Sequence, residues 1–211
     1  MGGDYYDVIE LGKNEVGFCI ADVSGKGISA AILMSNFQAN LRALFSEGQS
    51  LTITLTRLNE RVMNSAKGEK FITLFIARYH YLNRELKYVN AGHNPPFLYE
   101  MGSGKLTQLS SGCVGMGMLD ELPFVNEASV TLDKPAKLFC YTDGLVEVIH
   151  GSGVKSGTGD LEKALSNKKS LEENIKTIIE NQKILEGSAS IFDDISIIGA
   201  EFPGGEGFSE L

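Results

Sequence analysis

Between Glu15 and Asp22 the sequence EVGFCIAD alternates with period two: Val16, Phe18 and Ile20 fall on one side, Gly17, Cys19 and Ala21 on the other. Large residues opposing small ones at that period predict a strand. A turn-like segment, Ser24–Gly27, follows, and the period then changes. Leu33, Phe37, Leu41 and Leu44 recur at steps of four, four and three, a helical spacing with Ser29 as its expected N-cap. A second helix is expected from Leu51 to Ala66, carrying Leu51, Leu55, Leu58 and Val62 and ending before Gly68. Phe71–Tyr81, Glu85–Ala91 and Phe97–Glu100 then predict strands, interrupted at Asn83 and at Pro95–Pro96. Lys137–Thr142 predicts a further strand, apolar on both faces. The Gly- and Ser-rich stretch His150–Gly159 predicts a mobile loop. A third amphipathic helix follows, with Leu171, Ile175, Ile178 and Leu185 in register. Ile195–Phe202 closes as a strand.

Helices in this order come in blocks instead of one after each strand. That favours an α+β fold with mainly antiparallel sheets over a doubly wound parallel one. Strands apolar on both faces suggest sheets covered on each side, a layered sandwich. The length, 211 residues, suits one domain, expected over residues 1–202, with 203–211 a disordered tail.

Composition changes the picture mainly by exclusion. The chain is 43% apolar and 22% charged, as in a globular protein. No apolar run approaches the roughly 18 residues of a membrane span, and no signal-peptide pattern opens it; a cytoplasmic protein without a membrane partner is expected. Cys19, Cys113 and Cys140, an odd count without C-x-x-C spacing, predict reduced thiols and neither disulfides nor a zinc site. A formal charge of −8 weighs against nucleic acid. The same charge poses a problem for any chemistry on phosphate, which then needs positive charge supplied locally.

The candidate chemistry lies in aspartates at strand ends. Asp4 and Asp7 stand in GGDYYD, Asp22 ends the alternating strand, Asp143 follows Thr142, and Asp193 and Asp194 precede the last strand. Carboxylates far apart in sequence but at strand ends are suited to converge at one edge of a sandwich. Hard cations such as Mg2+ and Mn2+ take carboxylate, carbonyl and water oxygens and need few protein ligands. Two such ions roughly 3.5–4 Å apart would activate water and clamp a phosphoryl group. Singly, each aspartate also reads as ordinary turn chemistry.

Taken together, GGDYYD, ADVSGKGISAAILM, FITLFIARYH, NAGHNPP, YTDGLVE and FDDISII occur in the order seen in SpoIIE-like phosphatases. The chain resembles this bacterial branch of the type 2C, metal-dependent protein phosphatases from about Gly2 to Ile198. The resemblance implies a four-layer α-β-β-α sandwich with two Mn2+ or Mg2+ ions at one end of the paired sheets. Asp22 matches the aspartate that bridges both metals, and Val23 would lend its backbone carbonyl. Asp143 and Asp193 match further ligands. Asp4 matches an aspartate that binds the first metal or its water. Asp194, where relatives often carry Asn, and His93, near a third metal position, rank behind these, with backbone bonding the plainer role for His93. Lys26 reads as a solvated turn lysine. The implied reaction is in-line attack of a metal-bridging hydroxide on phosphoserine or phosphothreonine, typically of an anti-sigma-factor antagonist. The implied regulation is by an upstream sensor domain acting through the two helices after ADVSGKG. A homodimer stays open.

The departures are specific. Ser24 stands where eukaryotic relatives carry a proposed histidine acid, which leaves water on a metal as the expected proton donor. The arginine that holds phosphate in those relatives has no counterpart, so substrate-binding residues stay unassigned. The loop after His150 lacks the family's frequent Phe-Gly. The family normally has a strand before GGD, so a missing N-terminal strand and an exposed sheet edge are expected. A catalytically weak regulatory module on the same fold is the alternative. GGDYY lacks the surrounding pattern of a diguanylate cyclase, and SGKG lacks the Ser/Thr of a Walker A loop.

Overall fold

A computed structural model describes residues 3–149, 156–182, 184 and 193–205. The chain divides into two compact units, Met1–Pro95 with Ser110–Thr131, and Pro96–Leu109 with Leu132–Leu211.

The first unit is built on strands β1 (Asp4–Gly12), β2 (Glu15–Val23), β3 (Ile72–His80) and β4 (Glu85–Ala91), with short strands β7 (Gly112–Cys113) and β8 (Ala128–Thr131) on β4. β1 to β4 pair antiparallel in sequence order; β7 joins β4 in parallel. The alternation in β2 works as anticipated: Cys19, Ala21 and Val23 enter the core, and Phe18 and Ile20 on the opposite face are buried as well. Small residues on the core face let helices α1 (Ile28–Leu44) and α2 (Leu51–Ala66) pack closely, through Leu33, Phe37 and Leu41 from one and Leu51, Leu55, Leu58 and Val62 from the other.

The bounds of α2 follow from its ends. Ser50 caps it by accepting from the Thr52 N–H, and Lys67 closes it in a left-handed conformation before Gly68. α1 differs from expectation. Gly27, at φ 90°, is its cap residue, with no side-chain cap bond, and Ser29 lies inside the helix. Gly25 and Gly27 both take positive φ, a turn geometry that starts the helix before a serine cap can form.

β1 is an edge strand and was not anticipated. Its helix-side face packs Tyr5, Ile9 and Leu11 against the core but also carries Asp7, which is buried, while Tyr6 and Val8 on the other face are exposed. An inward aspartate is tolerated because Arg42 of α1 donates to both its oxygens, at 2.7 and 2.8 Å, and the Tyr5 hydroxyl donates to one of them.

The second unit holds strands β5 (Phe97–Glu100), β6 (Lys105–Gln108), β9 (Ala136–Tyr141) and β10 (Ile197–Phe202) in the antiparallel order β10-β9-β5-β6. Helices α3 (Thr158–Leu165) and α4 (Leu171–Asn181) pack Leu161, Leu165, Leu171 and Ile178 with Phe97, Phe139 and Tyr141. α3 was not anticipated, and Thr158 and Gly159, read as loop, open it. Residues 150–155 of that stretch and Leu185 lie outside the described residues, as do 206–211 of the expected tail. The Gly205 N–H donates to Asp133 O at 2.9 Å. The result is the α+β class read from the sequence, two largely antiparallel sheets each carrying two helices. Among the described residues no helix is long and apolar enough to cross a membrane.

Candidate metal centre

The C-terminal end of β2 gathers the first half of the candidate residues. Asp22 is opposite Asp4 on β1 and opposite Thr73 on β3. Directly opposed residues of an antiparallel pair share a face, and like charges so placed destabilise it. The register therefore builds a row of Asp4, Asp22 and Thr73 across three strands.

Gly3 shapes the space beside this row. A Cβ on Gly3 would stand 3.0 Å from Asp22 Oδ1 and 3.0 Å from the Val23 carbonyl oxygen. Both oxygens thus lie close against the side of Gly3 that a side chain would occupy. The strand end is held there by the Val23 N–H, which donates to Gly3 O at 3.3 Å. Thr73 Oγ1 donates to Asp22 O at 3.4 Å and pairs with His93 Nδ1 at 3.0 Å. The His93 backbone N–H donates to Asn90 Oδ1 at 2.8 Å. His93 is thus buried behind Thr73 and reaches Asp22 through it.

Immediately after Val23 the chain turns on Ser24. Its N–H donates to Phe71 O at 2.9 Å, its Oγ accepts from the Phe71 N–H at 2.9 Å, and its carbonyl accepts from Lys70 Nζ at 3.0 Å. Ser24 Oγ is thus committed to a backbone amide. Lys26, in the same turn, is exposed.

The other half of the candidates belongs to the second unit. Asp143 opens a single 3-10 turn, Asp143–Leu145, and its carbonyl accepts from the Val146 and Glu147 N–H groups at 2.9 Å each. Thr142 ties this turn to the chain before β10. Its N–H donates to Ser196 O at 3.1 Å and its Oγ1 accepts from the Ser196 N–H at 2.9 Å. Gly144 seats directly on that chain: a Cβ there would drive into the Asp194 carbonyl oxygen and stand 3.3 Å from Asp193 O. The residue after Asp143 thus lies against the backbone of Asp193 and Asp194. Asp193 Oδ1 accepts from the Asp194 N–H at 3.0 Å, which orients its carboxylate, while Asp194 itself is exposed.

The donor chemistry fits Mg2+ or Mn2+, with carboxylates, a backbone carbonyl beside Gly3 and no soft ligand. Cys19 and Cys140 are buried, and burial pushes the Cys113 thiol up to about 11. Among the described residues no three His, Cys, Asp or Glu gather into a group able to hold an ion. The acids stand as Asp4 with Asp22 in one unit and Asp143 with Asp193 in the other. Sequence reasoning missed Thr73, Lys70 and the part played by Gly3. Lys70 offered no signal, since it precedes a strand without period or motif, whereas the small residue in GGD was on view.

A family model described as Stage II sporulation protein E (SpoIIE) matches residues 12–203. Phosphoserine phosphatase RsbU of Bacillus subtilis (strain 168) is 28% identical over 200 residues, covering 94% of this chain and 58% of RsbU. This chain therefore spans a little over half the length of that relative. Among solved structures, the SiaA-PP2C domain of Pseudomonas aeruginosa superposes with a TM-score of 0.81 at 17% identity, over 95% of this chain and 81% of that one. RsbX in complex with magnesium superposes with a TM-score of 0.69 at 20% identity, over 95% and 87%. At such identities the structures speak for the fold.

Proposed function

Because the chain belongs to the stage II sporulation protein E (SpoIIE) family, we propose that it is a metal-dependent phosphatase acting on phosphoserine or phosphothreonine of a regulatory protein. The observation that carries this reading is the register pairing of Asp4 with Asp22, with Asp22 Oδ1 and the Val23 carbonyl oxygen both against Gly3. Oxygens so placed would serve as part of a cation site. The phosphoserine phosphatase activity of RsbU and the magnesium of the RsbX structure support the reading.

Two divalent cations would be held by Asp22, the Val23 carbonyl, Asp143 and Asp193, with Asp4 supporting the first and Asp194 and His93 standing behind. When bound, they supply the positive charge that draws phosphate to a protein of charge −8 and lowers the pKa of water. The chain's own residues orient: Thr73 holds the Asp22 carbonyl, His93 holds Thr73, and the Asp194 amide turns the Asp193 carboxylate. Ser24 offers no acid in place of a histidine, because an alkyl hydroxyl does not ionise near neutral pH; water is proposed as the source of the leaving-group proton.

The substrate proposed is a cytoplasmic phosphoprotein of the anti-sigma-factor-antagonist kind. Residues 1–202 form the phosphatase domain, and an upstream sensor domain completes the regulatory system. Mn2+-dependent hydrolysis of an aryl phosphate tests the reading. Asp22→Asn and Asp143→Asn are each expected to lower kcat at least about 100-fold, the scale of losing an electrostatic group at a reacting centre. Undiminished turnover in both would reject it. The alternative is a catalytically weak or inactive regulatory binding module on the same fold. Calorimetric Mn2+ titration separates the two: tight binding together with turnover leaves no room for it.

A further inference from the structure

We infer that Lys70 is a positioning residue for the cation-binding end of β2, holding the Ser24 turn so that the Val23 carbonyl stays directed beside Gly3. The inference rests on the phosphatase reading and adds to it a residue outside the ligand set.

Two peptide planes flank Ser24. The Val23 carbonyl and the Ser24 N–H belong to one planar trans unit and point in opposite directions. The Ser24 N–H donates to Phe71 O at 2.9 Å, so the Val23 carbonyl is aimed away from Phe71. Its oxygen is one of the two that would stand 3.0 Å from a Cβ at Gly3. The next plane carries the Ser24 carbonyl, and Lys70 Nζ donates to it at 3.0 Å. Ser24 thus has both flanking planes fixed, and its Oγ is fixed by the Phe71 N–H at 2.9 Å.

Gly25 makes the Lys70 bond both possible and necessary. Its φ is +82°, and a Cβ there would stand 3.0 Å from Lys70 Nζ. A glycine leaves room for the ammonium, but it also gives the turn the freedom to rotate. Removing the Lys70 donor releases the Ser24–Gly25 plane at its most pliable point. A half-buried ammonium makes this a charge-assisted bond, stronger than a neutral one. Lys70 has three donors and spends one on Ser24.

The test combines calorimetric Mn2+ titration, metal-free melting and metal-free amide exchange on wild type, Lys70→Met, Lys70→Arg and Ser24→Ala. Lys70→Met is expected to weaken Mn2+ affinity about tenfold, as outer-sphere partners of metal sites do. Its Ser24 amide should exchange faster without metal, its melting temperature should stay close to wild type, and excess Mn2+ should restore kcat. Lys70→Arg, which keeps a cationic donor, should recover most of the affinity. Ser24→Ala, which keeps the carbonyl that Lys70 holds but loses the Oγ bond to the same turn, should weaken it in the same direction, and Lys70→Gln, shorter and uncharged, serves if Lys70→Met does not fold. Wild-type affinity in Lys70→Met and Ser24→Ala, or a loss that merely follows a fall in melting temperature, overturns the inference and leaves the phosphatase reading intact. Absence of Mn2+ binding by wild type would overturn both.

Discussion

Gly3 and Gly144 each stand where a larger residue would press on neighbouring backbone, one in each unit. At Gly3 an added methyl would stand 3.0 Å from both Asp22 Oδ1 and Val23 O. Gly3→Ala is therefore expected to weaken Mn2+ binding by about tenfold or more with little change in metal-free melting, read by calorimetry and thermal denaturation on the same sample. At Gly144 the obstacle is the Asp194 backbone, which cannot step aside as a side chain can. Gly144→Ala should separate Asp143 from Asp193 and cost about 1–3 kcal/mol, as overpacking does, visible as lowered melting and lost activity together. Asp7 illustrates a charge with a purely architectural task. Burial pushes its carboxyl upward, but the hydrogen bonds from Arg42 and Tyr5 outweigh this and hold it below the usual range. A carboxyl depressed on folding contributes stability above its unfolded pKa, and that contribution is lost as pH falls through the folded value. Asp7→Asn should accordingly lower melting at neutral pH and shrink its difference from wild type below about pH 4, in a pH series of melting curves.

Elements were legible where their pattern was amphipathic and their ends carried turn chemistry. The bounds of α2, β4 and β5 agree with the sequence reading residue for residue, because Ser50, Gly68, Asn83 and the Pro95–Pro96 pair punctuate them. β1 escaped because Asp7 interrupts its core face, held there by a contact with Arg42 that spans 35 residues. α3 escaped because it is 8 residues long and begins among glycines, too short for periodicity to show. Its position owes much to a lysine on β9. Lys137, 1% exposed, donates to Asn167 O, Lys169 O and Asn174 Oδ1 at 3.0, 3.0 and 2.6 Å. It thereby fastens the α3–α4 connection to its sheet. Lys137→Met would bury these acceptors without a donor and should cost about 2–3 kcal/mol, measured by urea denaturation, with the first unit's Asn59 contacts undisturbed. Those contacts are the counterpart on α2: the Asn59 amide donates to Leu119 O and Asp120 O at 3.0 and 3.2 Å and accepts from the Gly117 N–H at 2.8 Å.

For the molecule as a whole, charge is the quantity that a bound cation changes most. A protein of charge −8 with opposed carboxylates at a strand end should gain stability from ions that bind only the folded state. At 100 times its dissociation constant one ion contributes about 2.7 kcal/mol, or a rise of roughly 5–10 °C for a chain of this size. Mn2+ should produce that rise in a melting curve and a chelator should abolish it; an unchanged midpoint would count against the site. The family, the α+β class, and most strands and helices were open to a reader of the chain alone. Periodicity and turn residues act over a few positions, and motif order survives in the text of the chain. Pairing across distance did not show there. The Asp4–Asp22–Thr73 row needs the register of three strands, and the Lys70–Ser24 bond joins residues 46 apart. Neither has a local signature, because each is set by which backbone groups happen to face each other once the sheet has formed.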